Sequence, residues 1–193
     1  TNVARMLGSF KWFVLVFVLD FLKGLSASLL FAYIALSLTQ PSSAATNFFL
    51  SNPEFIKTFF GLAAIIGHIF PIYLRFKGGK GVATGAGVVV GLSPISFLVA
   101  FGFFIVIFLA TRFVSLASMF SAFALTITHI LLNYETAFGQ LLPVSVLYIL
   151  VSLLILFRHR TNIVRLLKGT EPKIALSKRT GKQQIDALDA CNK

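Results

Sequence analysis

Residues 76–85, with the sequence FKGGKGVATG, hold two lysines and four glycines between two strongly apolar segments. Glycine lets a backbone approach a ligand closely, and consecutive backbone N–H groups can form a concavity that holds an anion. Lysine adds a mobile positive charge suited to phosphate. The nucleotide-binding pattern GxxxxGK[ST] is absent, because Gly81 follows Lys80. This stretch, called here the glycine–lysine loop, therefore predicts a phosphate-binding segment of another kind.

Motifs that the sequence lacks narrow the chemistry further. It contains no HExxH motif and no Cys/His cluster, so we expect no metal and no other cofactor. No histidine is followed five residues later by aspartate. Asp20 is the only carboxylate inside the predicted helical bundle, which disfavours hydrolysis by paired carboxylates. The predicted site suits an anionic substrate that needs positioning more than deprotonation.

The composition is that of a membrane protein. Of the 193 residues 57% are hydrophobic and 12% are charged, whereas a soluble domain carries about a quarter charged residues. The formal net charge is +11, which in a membrane protein indicates cytoplasmic loops and contact with anionic lipid, not nucleic acid. A single cysteine, Cys191, excludes a disulfide within the chain.

Hydropathy predicts an all-α polytopic membrane protein with six transmembrane helices. Apolar segments lie at 12–37, 55–74, 81–111, 115–133 and 138–157. The third is much longer than the ~20 residues that cross a bilayer, and it contains the turn signal GLSP at residues 91–94. We therefore divide it into helices at 80–92 and 94–111. Residues 1–173 are expected to form one membrane domain, and residues 174–193 a polar, disordered tail.

The positive-inside rule supports six spans over five, because six place the basic loops and the basic C-terminal segment on one face. That face, with both termini, is expected to be cytoplasmic. It collects polar residues from four segments: Asn2, Arg5, His68, Lys77, Lys80, Ser115, Ser118, Arg158, His159, Arg160, Asn162 and Arg165. Each has a structural alternative. The arginines could anchor the interface, His68 could be a satisfied helix histidine, and Ser118 could bond within its helix. Asp20 and Lys23, three apart, are expected to pair.

Three stretches in order resemble the PlsY family, the bacterial integral-membrane acyl-phosphate:glycerol-3-phosphate acyltransferases. They are TNVARMLG followed by DFLKG, then GHIFPIYLRFKGGKGVATGAG, then RHRTNIVRLLKGTE. The resemblance covers the chain except its tail. It implies seven helices, an external N-terminus and a site on the cytosolic face of the bacterial plasma membrane. The family's first helix and a loop of the form GSGNxGA would precede Thr1, so six spans correspond to seven minus the first.

The resemblance also implies the reaction and the residues that perform it. Such enzymes transfer a fatty acyl group from acyl phosphate to the 1-hydroxyl of glycerol 3-phosphate, giving lysophosphatidic acid and phosphate, the first acylation of phospholipid synthesis. The expected partners are these two substrates and membrane lipid, with the chain a monomer. The implied catalytic residues are Lys80, Ser118 and Asn162. The implied substrate-binding residues are Thr1, Asn2, Arg5, His68, Gly78, Gly79, Gly81 and His159.

Two alternatives stay open at this point. An organophosphate transporter could use the same basic pocket without chemistry, although the sequence shows no internal repeat and the segment at 80–92 is short. An inactive remnant, lacking the first helix and loop, is the other. Product formation that depends on acyl phosphate separates an enzyme from both.

Overall fold

The computed structural model describes residues 10–38, 52–76 and 78–174, and all regular structure within these ranges is helical. A π-helical turn, Ala27–Phe31, joins the first two helices into one rod. A short 3-10 helix, Ile72–Leu74, precedes the glycine–lysine loop. The α-helices are α1 Phe10–Ser26, α2 Ala32–Leu38, α3 Pro53–Ile69, α4 Val82–Leu92, α5 Pro94–Thr111, α6 Val114–Leu132, α7 Leu142–Arg158 and α8 Arg160–Leu167.

Every segment predicted to span the membrane contains a helix, but the number of spans is not fixed by length and composition alone. Among the described residues, four helical segments are long and apolar enough to cross a bilayer: Val14–Leu38, Pro53–Leu74, Pro94–Thr111 and Val114–Leu132. Helices α7 and α8 form a pair bent by 55°, which would make a fifth span. Helix α4 has only 11 residues. The all-helical membrane fold is confirmed, and the count of six stays a prediction.

Local sequence sets the helix ends. Asn52 caps α3, since its side-chain oxygen accepts from the N–H groups of Glu54 at 3.0 Å and Phe55 at 3.3 Å. Pro53 occupies the first turn, where no intrahelical N–H is needed. The predicted break at residues 91–94 is confirmed, because α4 ends at Leu92 and α5 begins at Pro94.

Helices α1 and α4 pack closely through small residues. A Cβ on Gly24 would overlap the carbonyl oxygen of Thr84, and one on Gly87 would overlap the carbonyl oxygen of Phe21. Close backbone approach at small residues is typical of helix pairs in membranes. A Cβ on Gly91 would likewise overlap Oγ of Ser28, so the contact extends along α4 to the residues just after α1.

One end of the bundle gathers five chain segments. Helices α3 and α7 end there, α4 and α6 begin there, and α8 follows α7 across the bend. Beneath them lies a core of buried apolar side chains from α3, α4, α6 and α7, including Ile65, Val88, Leu125 and Leu147. The backbone N–H of Ile174 donates to the carbonyl of Arg112 at 3.1 Å, so the chain after α8 also contacts this end. The predicted disordered tail lies almost entirely outside the described residues.

Candidate active site

The glycine–lysine loop folds back onto the last turn of α3. The amide of Gly78 donates to the carbonyl of Ile69 at 3.2 Å, and the amide of Gly79 donates to that of His68 at 3.1 Å. A Cβ on Gly78 would overlap the His68 carbonyl oxygen, so only glycine fits there. Gly81, at the N-cap of α4, is left-handed with φ of 82°. Glycine therefore lets the chain reverse between α3 and α4 and carry Lys80 at the turn.

A chain of hydrogen bonds starts at Lys80. Its Nζ donates to Oδ1 of Asn162 at 2.6 Å, although the two residues are 82 positions apart. Nδ2 of Asn162 in turn donates to Oε1 of Glu171 at 2.7 Å. The asparagine is therefore fixed on both sides, with its oxygen toward the ammonium and its nitrogen toward the carboxylate. Lys80 and Asn162, predicted as catalytic from separate stretches, lie in direct contact.

Glu171 is the buried anchor of this network. Its Oε1 also accepts from the hydroxyl of Ser115 at 2.7 Å, and its Oε2 accepts from Nε of Arg165 at 2.7 Å. Burial alone would raise the pKa of this carboxyl, but hydrogen bonds from Arg165, Asn162 and Ser115 outweigh it and lower the pKa below its ordinary value. Glu171 is therefore held as a carboxylate that orients its neighbours.

A tight turn after α8 brings Glu171 back toward Asn162. Gly169 takes φ of 68°, and its amide donates to the carbonyl of Leu166 at 3.1 Å. The amide of Thr170 donates to the carbonyl of Arg165 at 2.8 Å. A left-handed glycine ending a helix in this way is a common C-terminal cap. The turn explains how a residue just past the helix shares one network with residues on it.

The bend between α7 and α8 supplies two more side chains. Arg158 donates from its terminal nitrogen to the carbonyl of Gly78 at 3.0 Å and lies over the ring of Phe70, 5.8 Å from its centroid. His159 is buried, and its Nδ1–H donates to the carbonyl of Ile155 at 2.8 Å. Arg158 thus holds the loop through the Gly78 carbonyl, while the bond to Ile155 fixes the orientation of the His159 ring.

Asp20 brings the first rod to the same site. Its Oδ1 lies 3.3 Å from Nζ of Lys23, which confirms the predicted pair. The same oxygen lies 3.2 Å from Nδ1 of His68 on α3. No histidine in the sequence is followed five residues later by aspartate, but folding brings His68 of α3 and Asp20 of α1 together as a histidine–aspartate pair.

The two candidate serines have different partners. Ser115 donates to Glu171 and is part of the network around Asn162. Ser118 is buried one turn further along α6, and its hydroxyl donates to the carbonyl of Val114 at 2.8 Å. Ser118 is therefore occupied within its own helix, as its structural alternative expected, and its assignment to the substrate stays a prediction.

Most of the predicted site residues lie at one end of the bundle. They are Lys80, Asn162, His159, His68, Gly78, Gly79, Gly81 and Ser118. Three others, Thr1, Asn2 and Arg5, lie outside the described residues. The residue missed altogether is Glu171. The sequence does contain a feature that could have indicated it. Glu171 is the only acidic residue between Glu135 and Asp186, and it lies in a strongly basic stretch.

The fold and the site together define a class of protein: a helical integral-membrane protein whose cationic, glycine-lined site lies at one end of the bundle. A family model described as glycerol-3-phosphate acyltransferase matches residues 1–169. The glycerol-3-phosphate acyltransferase of Staphylococcus carnosus (strain TM300) is 40% identical over 174 residues, covering 90% of this chain and 78% of the relative. That of Aquifex aeolicus (strain VF5) is 42% identical over 173 residues, covering 89% and 78%. The chain belongs to the glycerol-3-phosphate acyltransferase family.

Solved structures agree with this assignment. PlsY (YgiH), an integral membrane glycerol 3-phosphate acyltransferase, superposes in its glycerol 3-phosphate form with a TM-score of 0.71 at 39% identity. That match covers 90% of this chain and 76% of the other. The lysophosphatidic acid form gives a TM-score of 0.70 at the same identity. The resemblance, the fold class and the prediction of an acyltransferase enzyme are confirmed.

Proposed function

We propose that this chain transfers a fatty acyl group from acyl phosphate to the 1-hydroxyl of sn-glycerol 3-phosphate where Lys80, Asn162 and His159 converge. The products are 1-acyl-glycerol 3-phosphate and inorganic phosphate. The observation that carries the proposal is the 2.6 Å hydrogen bond from Lys80 to Asn162. It joins the glycine–lysine loop to α8, and so unites two stretches that resemble the PlsY family in a single site.

Lys80 supplies the positive charge for a substrate phosphate. Its ammonium is held by Asn162 at the mouth of a turn whose backbone is fixed by α3 and by Arg158. A preorganised cation of this kind stabilises charge that develops on a departing phosphate without reorganising during the reaction. His159 and Asn162 complete the contacts to glycerol 3-phosphate, with Ser118 assisting. Thr1, Asn2 and Arg5 are proposed to add donors from the N-terminal segment.

The reaction needs no strong base on the protein. The 1-hydroxyl oxygen bonds to the acyl carbonyl carbon, and the bond from that carbon to the phosphate oxygen breaks with its electron pair leaving on phosphate. The hydroxyl proton passes to a phosphate oxygen of the substrate. Glu171 is a poor candidate base, since its lowered pKa and its three donors hold it as a bound carboxylate. Positioning of the hydroxyl against the carbonyl then supplies much of the rate.

The acyl chain is proposed to lie along the surface of α5, which carries five phenylalanines. Phe103 is one of them, and the other four are stacked on each other. Phe97, Phe101, Phe104 and Phe108 form one column, with successive ring centroids 5.7, 6.3 and 6.0 Å apart. The column runs along the helix toward Arg112, at the end of the bundle that holds the site. An apolar track that ends beside a cationic site suits a substrate with a hydrocarbon tail and a phosphate head.

The site is proposed to face the cytoplasm of the bacterial inner membrane. The described basic residues concentrate at the site end, among them Arg75, Arg112, Arg160 and Lys168, and the positive-inside rule assigns such an end to the cytoplasm. The chain is also proposed to work as a monomer.

Phosphate release tests the proposal. The purified protein is supplied with palmitoyl phosphate, with and without glycerol 3-phosphate, and both phosphate and lysophosphatidic acid are measured. We expect release that depends on glycerol 3-phosphate and equals the lysophosphatidic acid formed. Release without that dependence, or binding of glycerol 3-phosphate with no product, would contradict it.

A further inference from the structure

We propose that Asp20 and His68 form a positioning pair that holds the Gly78–Gly79 turn, and through it Lys80, in the working geometry. The effect of this pair on catalysis rests on the proposed function, in which Lys80 acts on the substrate phosphate. It assigns His68 to the protein scaffold, whereas family resemblance assigned it to the substrate. It also gives Gly79 a steric role beside the histidine ring.

One edge of the His68 ring is held by Asp20. Nδ1 lies 3.2 Å from Oδ1 of the aspartate, and both side chains are partly buried, with exposures of 14% and 20%. A carboxylate accepts and does not donate here, so Nδ1 carries the hydrogen. The same oxygen is 3.3 Å from Lys23, which keeps the carboxylate paired. Asp20 therefore fixes the rotation of the imidazole from a different helix.

The other edge of the ring is covered by Gly79. A Cβ built on Gly79 would overlap Nε2 and lie 2.7 Å from Cε1 and 2.9 Å from Cδ2. All three atoms of the distal edge thus lie against the same backbone position. Since real Cβ contacts at these distances essentially never occur, any side chain at 79 would displace either the ring or the turn. The imidazole fills the space that a residue other than glycine would need.

The backbone ties the same two residues together. The amide of Gly79 donates to the His68 carbonyl at 3.1 Å, so ring and main chain of His68 both contact the turn. Lys80 is the next residue and bonds Asn162. A rotation of the ring away from Asp20 would therefore shift the segment that carries Lys80. With one edge on Asp20 and the other on Gly79, His68 acts on the reaction through the turn.

A double-mutant cycle tests the steric link. Gly79→Ala should lower kcat/KM at least tenfold, whereas Gly79→Ala combined with His68→Ala should recover activity relative to Gly79→Ala alone, because the collision is removed. Gly139→Ala is the control, since it lies outside the glycine–lysine loop and its Cβ would make an ordinary 3.7 Å contact with the carbonyl oxygen of Thr136; it should stay within twofold of wild type. If the fold-losses in kcat/KM of Gly79→Ala and His68→Ala simply multiply in the double variant, the proposal is overturned.

Conservative replacement at position 20 tests the orienting bond. Asp20→Asn keeps an oxygen that accepts from Nδ1–H, so it should retain much more kcat/KM than Asp20→Ala. The residual defect of Asp20→Ala should appear chiefly in kcat, with KM for glycerol 3-phosphate within about threefold. Equal losses in the two variants, or a defect confined to KM, would overturn a positioning role.

Two further readouts separate this inference from the proposed function. Turnover by wild type reports on the proposed function alone. The cycle is also followed by thermal unfolding and by binding of glycerol 3-phosphate, which do not require acyl transfer. If wild type binds but does not turn over, the proposed function fails. Recovery of Tm and binding in the double variant would still support the steric link, and its absence would still overturn it.

Discussion

The molecule buries two histidines, His129 and His159, at opposite ends of the helical bundle, and their surroundings differ in kind. Nε2 of His129 lies 3.1 Å from the hydroxyl of Ser145, and its ring meets Tyr148 edge-on at 4.9 Å. Ser145 donates to the carbonyl of Ala137 at 2.7 Å, which closes the cluster with neutral groups. His159 instead stands at a 55° bend, where the charge of Lys80 acts on it.

This comparison separates a structural histidine from a candidate functional one. Burial does not distinguish them, because both residues are 2% exposed. The difference lies in the charges around the ring and in the break of the helix beside it. A neutral, closed cluster inside a membrane protein stabilises helix packing. A cluster of opposite charges at a helix break is the costlier arrangement, and such sites are typical of function.

The largest expected effect is at Lys80. Lys80→Ala should lower kcat by about 10²–10³-fold, the typical loss when one preorganised donor is removed from the transition state. Lys80→Arg should also be impaired, because guanidinium differs from ammonium in shape and reach. Turnover is measured by phosphate release. Lys57→Ala is the control, since Lys57 pairs with Glu54 at 2.8 Å near the other end of α3. Near-normal turnover in a folded Lys80→Ala protein would contradict the assigned role.

Exchange of the two histidines tests the comparison directly. His159→Ala should lower kcat/KM at least tenfold, as expected for loss of a hydrogen bond to a charged group at about 1.5–3 kcal/mol. His129→Ala should leave kcat/KM within twofold but lower Tm, because it removes one hydrogen-bond partner of Ser145 and the ring that packs against Tyr148. The paired measurement is activity and thermal unfolding on both variants. If His129→Ala loses as much activity as His159→Ala, the contrast between the two ends is wrong.

Glu171 is expected to act mainly on stability. Its pKa is lowered on folding, so its contribution is present above the unfolded pKa, about 4.3, and is lost as the pH falls through the folded value. Glu171→Gln should therefore lower Tm at pH 7, and the difference from wild type should shrink below about pH 4. The control is Glu135→Gln, since Glu135 is exposed at the other end. A Tm difference that does not change with pH would contradict an ionic role.

Local signals in the sequence predicted much of the fold but little of the network. Two features depend only on residues close together in the chain, and they could therefore be predicted. They are the helix break at Ser93 and Pro94 and the Asp20–Lys23 pair. The contact from Asp20 to His68 depends on how two helices rotate against each other, which hydropathy does not encode. The position of Glu171 depends on the left-handed turn at Gly169.

The smallest effects are expected at the two serines, and they sharpen the boundary of the site. Ser115→Ala removes one of the donors to the Glu171 carboxylate, a hydrogen bond to a charged group of about 1.5–3 kcal/mol, and should lower Tm with KM for glycerol 3-phosphate nearly unchanged. Ser118 bonds only within α6 among the described contacts, so Ser118→Ala should leave Tm nearly unchanged. If Ser118 assists the substrate, its loss should raise that KM about fivefold. Kinetics and unfolding of both variants at one pH provide the measurement. An unchanged KM in Ser118→Ala would exclude Ser118 from the substrate site. Ser115 would then be the serine of α6 that contributes to the site, through its hydrogen bond to Glu171.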